Sequence, residues 1–422
     1  MKKILFPLLA ILATISVCAQ SDDNATLDFY GFVRVDAYTD TYKGVDAGHD
    51  VFYLLPLYAK PGGVEDFNQQ LSSNITAIAS RLGVRIKFPE VAGAKATGLI
   101  EFDFAGNLKS DPTLFRIRQA FSLLTWEKSS LLLGQTWHPF FGNSNVPVVA
   151  GLNTGAPFSC FNRSPMIRYN VKMGALTISA SAVSEMQYVS PMIDQADYSY
   201  LLTPNHAKRN GVIPELVLSA EWTKKAVTLG TGVASKRIKP RMMISGASGN
   251  SKAEEFMNST AFMGYARYKN EKFMVLAKSF IGENMSHLVM PGGYGIATHN
   301  NATGEETYTS YTTWMNSLNI VCGTKWQVGL FAGLGSNLGT KDALWDSGEG
   351  KAKTYGSFLN MQTMYRVAPH LSLNLNKFKV VAEYERTSAN YGTGNINLAD
   401  GLYNSTHRAT NNRFILVMTH YF

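Results

Sequence analysis

Past residue 20 the sequence contains no apolar run approaching the ~18 to 20 residues that a membrane helix needs, which excludes a helical inner-membrane protein. Cysteine is nearly absent. Cys18 falls within the leader predicted below, and Cys160 and Cys322 fall in a predicted long loop and a predicted tight turn at opposite ends of the fold. Two free thiols are therefore expected in preference to a disulfide. Catalytic signatures are missing as well: there is no Gly-x-Ser-x-Gly and no His-Glu-x-x-His. His49, His138, His206, His287, His299, His370, His407 and His420 are scattered without metal-ligand spacing. Gly348-Glu349-Gly350-Lys351 lacks the opening glycine of a phosphate loop and the hydroxyl residue after its lysine, so it reads as an exposed hairpin tip. The expectation is a protein that is not an enzyme and has neither cofactor nor metal.

What is present begins with an export signal. Lys2 and Lys3 precede an apolar stretch from Ile4 to Val17, and Val17-Cys18-Ala19 supplies small residues where a signal peptidase cuts. Residues 1–19 are read as a signal peptide and 20–422 as one domain. A lipoprotein is the competing reading, but Val17 stands where a lipobox wants Gly, Ala or Ser. Loss of Lys2 and Lys3 lowers the formal charge from +8 to +6. The mature chain remains basic, yet its loops hold no cationic patch with interleaved stacking aromatics, so nucleic acid is not an expected partner.

The remainder alternates. Between Ala77 and Phe88 one parity carries Ile78, Ser80, Leu82, Val84, Ile86 and Phe88, and the other carries Arg81, Gly83, Arg85 and Lys87. Only a strand separates such sets. Ile100, Phe102 and Phe104 likewise oppose Glu101 and Asp103, and Phe115, Ile117, Phe121 and Leu123 oppose Arg116 and Arg118. Strands are predicted near 29–38, 76–88, 95–104, 114–125, 129–135, 165–172, 175–184, 213–223, 226–234, 259–270, 272–281, 310–321, 323–335, 355–367, 376–387 and 412–422. Short links alternate with long ones rich in Gly, Asn, Ser and Thr, and a turn is placed near Pro369. That rhythm, with 45% hydrophobic residues and no long run, predicts an all-β fold. The architecture is a transmembrane antiparallel up-and-down β-barrel of sixteen strands, with fourteen and eighteen as neighbouring solutions.

Ser80-Arg81-Leu82-Gly83-Val84-Arg85, Gly98-Leu99-Ile100-Glu101-Phe102-Asp103-Phe104, Phe115-Arg116-Ile117-Arg118-Gln119-Ala120-Phe121 and Leu133-Gly134-Gln135-Thr136-Trp137 resemble the N-terminal third of sixteen-stranded Gram-negative porins. The nearest resemblance is to DcaP-like trimeric porins. It covers residues 29 to about 165 and continues as topology to the final Phe422. The resemblance implies a homotrimer in the bacterial outer membrane, in contact with lipid and lipopolysaccharide, that passes small hydrophilic solutes by passive diffusion. It also implies insertion by the barrel-assembly machinery through Phe422. Two features depart from the pattern: His420 stands where that assembly signal has an aromatic residue, and the extended N-terminal coiled-coil segment of some such porins is missing.

With few residues between the cleavage point and Phe29, no plug precedes the barrel, and an open pore is expected. The resemblance places the constriction loop at His138 to Ser164. It contains Phe140, Phe141, Asn143, Asn145, Asn153, Asn162 and Arg163 and no Asp or Glu, so the carboxylates of a cation-selecting eyelet are missing. A polar loop lying over the mouth is the other reading. Arg34, Arg81, Arg85, Lys87, Arg116, Arg118 and Arg168 must face water, because charge facing lipid is costly. Among them lie Asp36, Glu101 and Asp103. Two roles stand open for this lattice, a field that attracts anions such as carboxylates and a brace for the wall. Gln119 and Ser80, polar residues on apolar parities, hint at contact with protein. A receptor or adhesin barrel, using Tyr53, Tyr58, Tyr294 and Tyr391 in its outer loops, is the alternative function.

Overall fold

The computed structural model describes residues 25–46, 51–62, 65–108, 111–142, 145–193, 206–246 and 249–422. The predicted leader and Asn143 lie outside these residues. One antiparallel sheet closes on itself through sixteen strands. They are β1 (Thr26–Asp40), β2 (Ser72–Thr76 and Arg81–Lys87), β3 (Lys95–Leu108), β4 (Asp111–Thr125), β5 (Ser129–Trp137), β6 (Arg163–Met173), β7 (Leu176–Val183) and β8 (Glu215–Lys224). The circuit continues with β9 (Val227–Ile238), β10 (Met257–Lys269), β11 (Phe273–Glu283), β12 (Glu306–Gly323), β13 (Trp326–Thr340), β14 (Met361–Leu375), β15 (Phe378–Ile396) and β16 (Tyr403–Tyr421). Closure satisfies the backbone of every strand through a neighbour, which is what allows strands to stand in lipid.

The outward parity is apolar and exposed: Val33, Leu82, Ile100, Phe115, Ile117, Ile167, Leu216, Leu218, Phe262, Leu334, Val367, Phe414 and Leu416 all point away from the lumen. An apolar belt of this extent has no place in water. Trp222, Tyr268, Phe273 and Trp326 cluster beside the short turns, as an interfacial girdle does. No helix among the described residues is long and apolar enough to cross a membrane. Cys160 is buried, Cys322 is exposed, and both are free.

The structure departs locally from the predicted pattern. In β4 the pairing with β3 slips between Glu101 and Phe102, leaving Arg118 as a bulge, and every residue after it changes face. Gln119 therefore points inward and donates to Glu101 Oε1 at 3.2 Å, while Phe121 and Leu123, expected to face lipid, pack against the interior cluster. Ser80 sits in the gap between the two pieces of β2, where its Oγ accepts from Arg34 N at 3.0 Å and donates to Arg34 O at 3.3 Å. It replaces a missing rung, so neither residue marks a protein-facing surface. Pro369 lies within β14 opposite Leu330, and the turn falls at Asn376-Lys377. The β14–β15 pairing skips Ala368 and Pro369, so the absent N–H is accommodated by an interrupted rung. Finally, β15 and β16 extend past their predicted ends, and the long loop expected at 388–411 shrinks to 397–402.

The seam joins β1 to β16 from Phe32↔Tyr421 to Asp40↔Arg413, and Phe422 N donates to Gly31 O at 3.2 Å. A Cβ on Gly31 would lie 2.6 Å from the Phe422 ring and 2.3 Å from Arg81 O, so only glycine fits there.

Candidate functional site: the lumen and its inward loops

Alternation in β2, β3 and β4 turns the predicted cations and carboxylates onto one patch of the inner wall. Arg118 donates from Nε to Glu101 Oε1 at 2.9 Å and from Nη1 to Asp103 Oδ2 at 2.6 Å. Arg116 clasps Asp103 through Nε at 2.6 Å and Nη2 at 3.1 Å. Arg81 reaches Glu101 at 3.5 Å, and Tyr30 donates to the same carboxylate at 3.0 Å. Three guanidinium groups thus share two carboxylates. Arg118 is sealed at 4% exposure and braces the wall, whereas Arg81 at 20% and Arg116 at 27% meet solvent. Arg85 pairs with Asp28 near the short-turn rim, where both are exposed, and Lys87 ends the same strand. Arg34 chelates Asp36. Arg168 on β6 donates to Trp137 O at 2.8 Å and forms no ion pair with a carboxylate among the described residues. It lines a polar vestibule of about 470 Å³ beneath loop 3 (138–162), together with Ser130, Asn145, Asn170, Ser179 and Ser219.

Loop 3 does not lie over the mouth. It crosses the lumen to the far wall, and lumen-facing side chains there grip its backbone. Asn319 accepts from Val148 N at 2.7 Å and donates to Val148 O at 3.1 Å. Glu383 accepts from Ala150 N at 2.8 Å and Gly151 N at 3.4 Å, Arg34 donates to Ala150 O at 2.7 Å, and Arg366 donates to Ala156 O at 2.9 Å. Lys278 reaches Ser159 Oγ at 3.1 Å. Loop 1 (41–71) descends beside it, held by Arg366 to Leu54 O and by Tyr391 to Pro56 O. Loop 6 (284–305) enters from the side, with Phe161 N donating to Leu288 O at 2.9 Å.

Where the three loops meet they build an apolar cluster that includes Phe52, Leu55, Phe140, Phe158, Met285 and Leu288. Loops supply this packing inside the barrel. His138, Phe140, Phe141, Asn162 and Arg163, predicted to line a constriction, are all buried inside this assembly. Trp137 stacks on Phe141 at 3.8 Å between ring centroids, and the Arg163 guanidinium lies 4.7 Å from the Trp137 ring. Tyr53, Tyr294 and Tyr391, assigned to a receptor surface in the alternative reading, are buried too; Tyr58 remains exposed.

Sequence spacing missed Arg366, Glu383 and Lys278. The rule that placed Arg81, that a charge inside a strand must face the lumen, applies equally to them. It also missed a convergence of histidines. His138 Nε2 lies 3.4 Å from Glu215 Oε2, and His287 Nε2 lies 3.1 Å from Glu215 Oε1, all three residues being buried. Their donor atoms are close enough together to surround a metal ion. The hydrogen positions do not fit one. Phe140 N–H donates to His138 Nδ1 at 3.2 Å, and the Lys236 ammonium donates to His287 Nδ1 at 2.8 Å. A neutral imidazole accepting at Nδ1 carries its proton at Nε2, so both protons point at Glu215 and no lone pair faces a metal. Metal-bound histidine has the opposite arrangement, donating from its outer nitrogen. Burial holds the His138 imidazole below its usual range, against the opposing pull of Glu215.

Compared with solved structures, the chain is similar to the outer-membrane channel DcaP of Acinetobacter baumannii, at 16% identity and a TM-score of 0.64 over 95% of this chain and 99% of that one. It is also similar to OmpT of Vibrio cholerae, at 11% identity and 0.53 over 96% and 99%. A third likeness is to an anion-selective porin from Comamonas acidovorans, at 11% and 0.52 over 94% and 100%. The DcaP-like porin fold, read from residues 29 to about 165, thus extends around the whole barrel. No protein-family model and no curated protein matches the sequence.

Proposed function

We propose that this chain is a passive channel of a bacterial outer membrane for small hydrophilic solutes, favouring anions such as carboxylates. One observation carries the reading: on the inner wall of β2 to β4, guanidinium groups outnumber the carboxylates they share. Arg81, Arg116 and Arg118 share only Glu101 and Asp103, and Arg168 adds a charge with no carboxylate on it. A cation row beside a low-dielectric wall raises the local anion concentration, and the sequence from His138 to Ser164 supplies no acid to cancel it. Screening over about 8 Å at physiological salt makes the preference moderate and weaker as salt rises. The test is the reversal potential across a potassium chloride gradient in planar bilayers, for wild type and for Arg81→Ser with Arg116→Ser. A cation-selective wild type, or an unchanged potential in the variant, would leave these arginines as braces only.

A non-conducting receptor barrel is the second reading, favoured by the apolar packing of three loops inside the barrel. Absence of any conductance from folded protein in those bilayers would decide for it. The chain is further proposed to assemble as a homotrimer. Support comes from the resemblance and from an apolar groove on the outer face of β1, β2 and β14–β16, lined by Ala37, Ile75, Leu371, Ala382, Phe414 and Leu416. Light scattering in detergent should return the mass of three copies; a monomer at all concentrations would contradict it.

A further inference from the structure

The donors and acceptors around Glu215 are matched one to one. Its two oxygens accept the Nε2 protons of His138, from loop 3, and His287, from loop 6. The three ammonium protons of Lys236 on β9 go to His287 Nδ1 at 2.8 Å, Asn284 O at 2.8 Å and Ser190 Oγ at 2.7 Å. Glu185 lies 3.7 Å from that ammonium and accepts from Ser190 N at 2.6 Å and Ser190 Oγ at 2.7 Å. The same two loops touch again beside the cluster, where Asn162 Nδ2 donates to His287 O at 2.7 Å. Each histidine therefore has one remaining lone pair, at Nδ1, and each lone pair is met by a donor.

We propose that His138, Glu215 and His287 form a proton-operated clasp that fastens loops 3 and 6 to one another inside the lumen and releases them in acid. A second proton on His138 must enter at Nδ1, head-on against the Phe140 N–H. A second proton on His287 must enter against the Lys236 ammonium. The first contact fixes the His138 ring within loop 3 and the second ties loop 6 to β9, so a further proton disturbs the ring placement on which the fastening to Glu215 rests. The other ionisable groups facing the cluster do not change this. Arg168 on β6 faces His138 and disfavours its charging; Cys160 of loop 3, Lys208 of the helix 206–210 and Lys236 on β9 face Glu215, with Lys278 on β11 behind Cys160. Glu185 is engaged by Lys236 and Ser190. The fastened state binds fewer protons than the released one, because burial lowers His138 in the fastened state. Fastening is thus complete above the free imidazole range near pH 6.5 and is lost as pH falls through and below it.

The clasp is a statement about loops and holds whether or not the lumen conducts, so its test reads the loops directly. Amide hydrogen exchange of residues 284–291 is followed in the detergent-folded full chain at pH 7.5 and pH 5.0, corrected for intrinsic rates. Wild type should lose protection severalfold at pH 5.0, because the released state takes up a proton that the fastened state disfavours. His138→Gln with His287→Gln, which removes both imidazoles, should show equal protection at the two pH values. Glu215→Gln, which removes the shared acceptor charge, should lose protection already at pH 7.5. Unchanged protection in wild type, or an equal loss in the double glutamine variant, overturns the proposal. So does a rise in melting temperature with one equivalent of Zn²⁺ at pH 7.5 that the double variant lacks, since that would make the cluster a metal site. Conductance recorded over the same pH interval separates the two readings. Acid-sensitive exchange without conductance at any pH refutes the channel and leaves the clasp standing, whereas a conducting pore with acid-insensitive exchange does the reverse.

Discussion

The inner wall from β1 to β7 and the inner wall from β11 to β16 are written in the same alternating code, yet they end in different surroundings. On the first, Arg81 and Arg116 keep 20% and 27% of their side-chain surface in solvent. On the second, Lys278, Asn319, Arg366, Glu383, Glu385 and Arg413 are all buried, because loops 1 and 3 lie across them. A polar inward face therefore says only that a residue avoids lipid. Whether it meets a solute or a loop is settled by which loops turn in, and the buried face uses its charges as anchors for loop backbone.

The largest expected effect lies at the best-anchored point of the filled side. Arg366→Ala removes the donor to Leu54 O and Ala156 O and leaves Glu385, 3% exposed and 3.3 Å from the lost Nε, without its cation. Stranding one member of a buried pair costs about 3–5 kcal/mol. Denaturant unfolding in detergent should show that loss; a change under about 1 kcal/mol would mean the far wall is wetter than its burial implies. Glu383→Gln comes next. It alters the carboxyl group that accepts two N–H groups from the tip of loop 3 and should cost about 1–3 kcal/mol, with noisier single-channel currents as the tip loosens. Quiet, wild-type traces would show that the tip is held elsewhere.

A matched pair of charge removals sharpens the contrast in a different currency, ion preference. Arg168→Ser, on the vestibule, should move the reversal potential toward cations, whereas Lys278→Ser, under loop 3, should leave it nearly unmoved. Equal shifts from both would erase the distinction between the two walls. The smallest effect belongs to Arg85→Ala, since Arg85 and Asp28 are 54% and 66% exposed and such pairs contribute about 0–1 kcal/mol. A loss above that range would place the rim of the barrel in a drier setting than its exposure indicates.

The barrel itself was legible because lipid enforces the code. The sixteen predicted strands correspond in order to the sixteen observed, and alternation brings Arg116, Arg118, Glu101 and Asp103 together on one patch of wall. Legibility failed where one residue breaks the period of two. The bulge at Arg118 reverses Phe121 and Leu123, and nothing in that sequence marks it. Pro369 was read as a turn because a proline inside a strand is rare, and only the paired neighbour reveals the skipped rung. Loop contents were harder still. Phe140, Phe158 and Leu288 carry no period at all, and the apolar cluster they share depends on loops distant in the chain. His138 and His287 belong to different loops, so their meeting at Glu215 is a property of the closed circuit and of no local motif.

The fit of Phe422 over Gly31 has a kinetic meaning. These residues stand nearly the whole chain apart, so the seam carries the greatest loop-closure entropy of any strand pairing and belongs to the last stage of assembly. Until β1 and β16 meet, both present unpaired edges that invite pairing with other copies. A snug ring at that junction acts on how long a trial closure survives, and so on whether the circle completes before an edge is captured. Gly31→Val should accordingly leave the early growth of strand signal unchanged, while slowing the final step of refolding and raising the yield of aggregates.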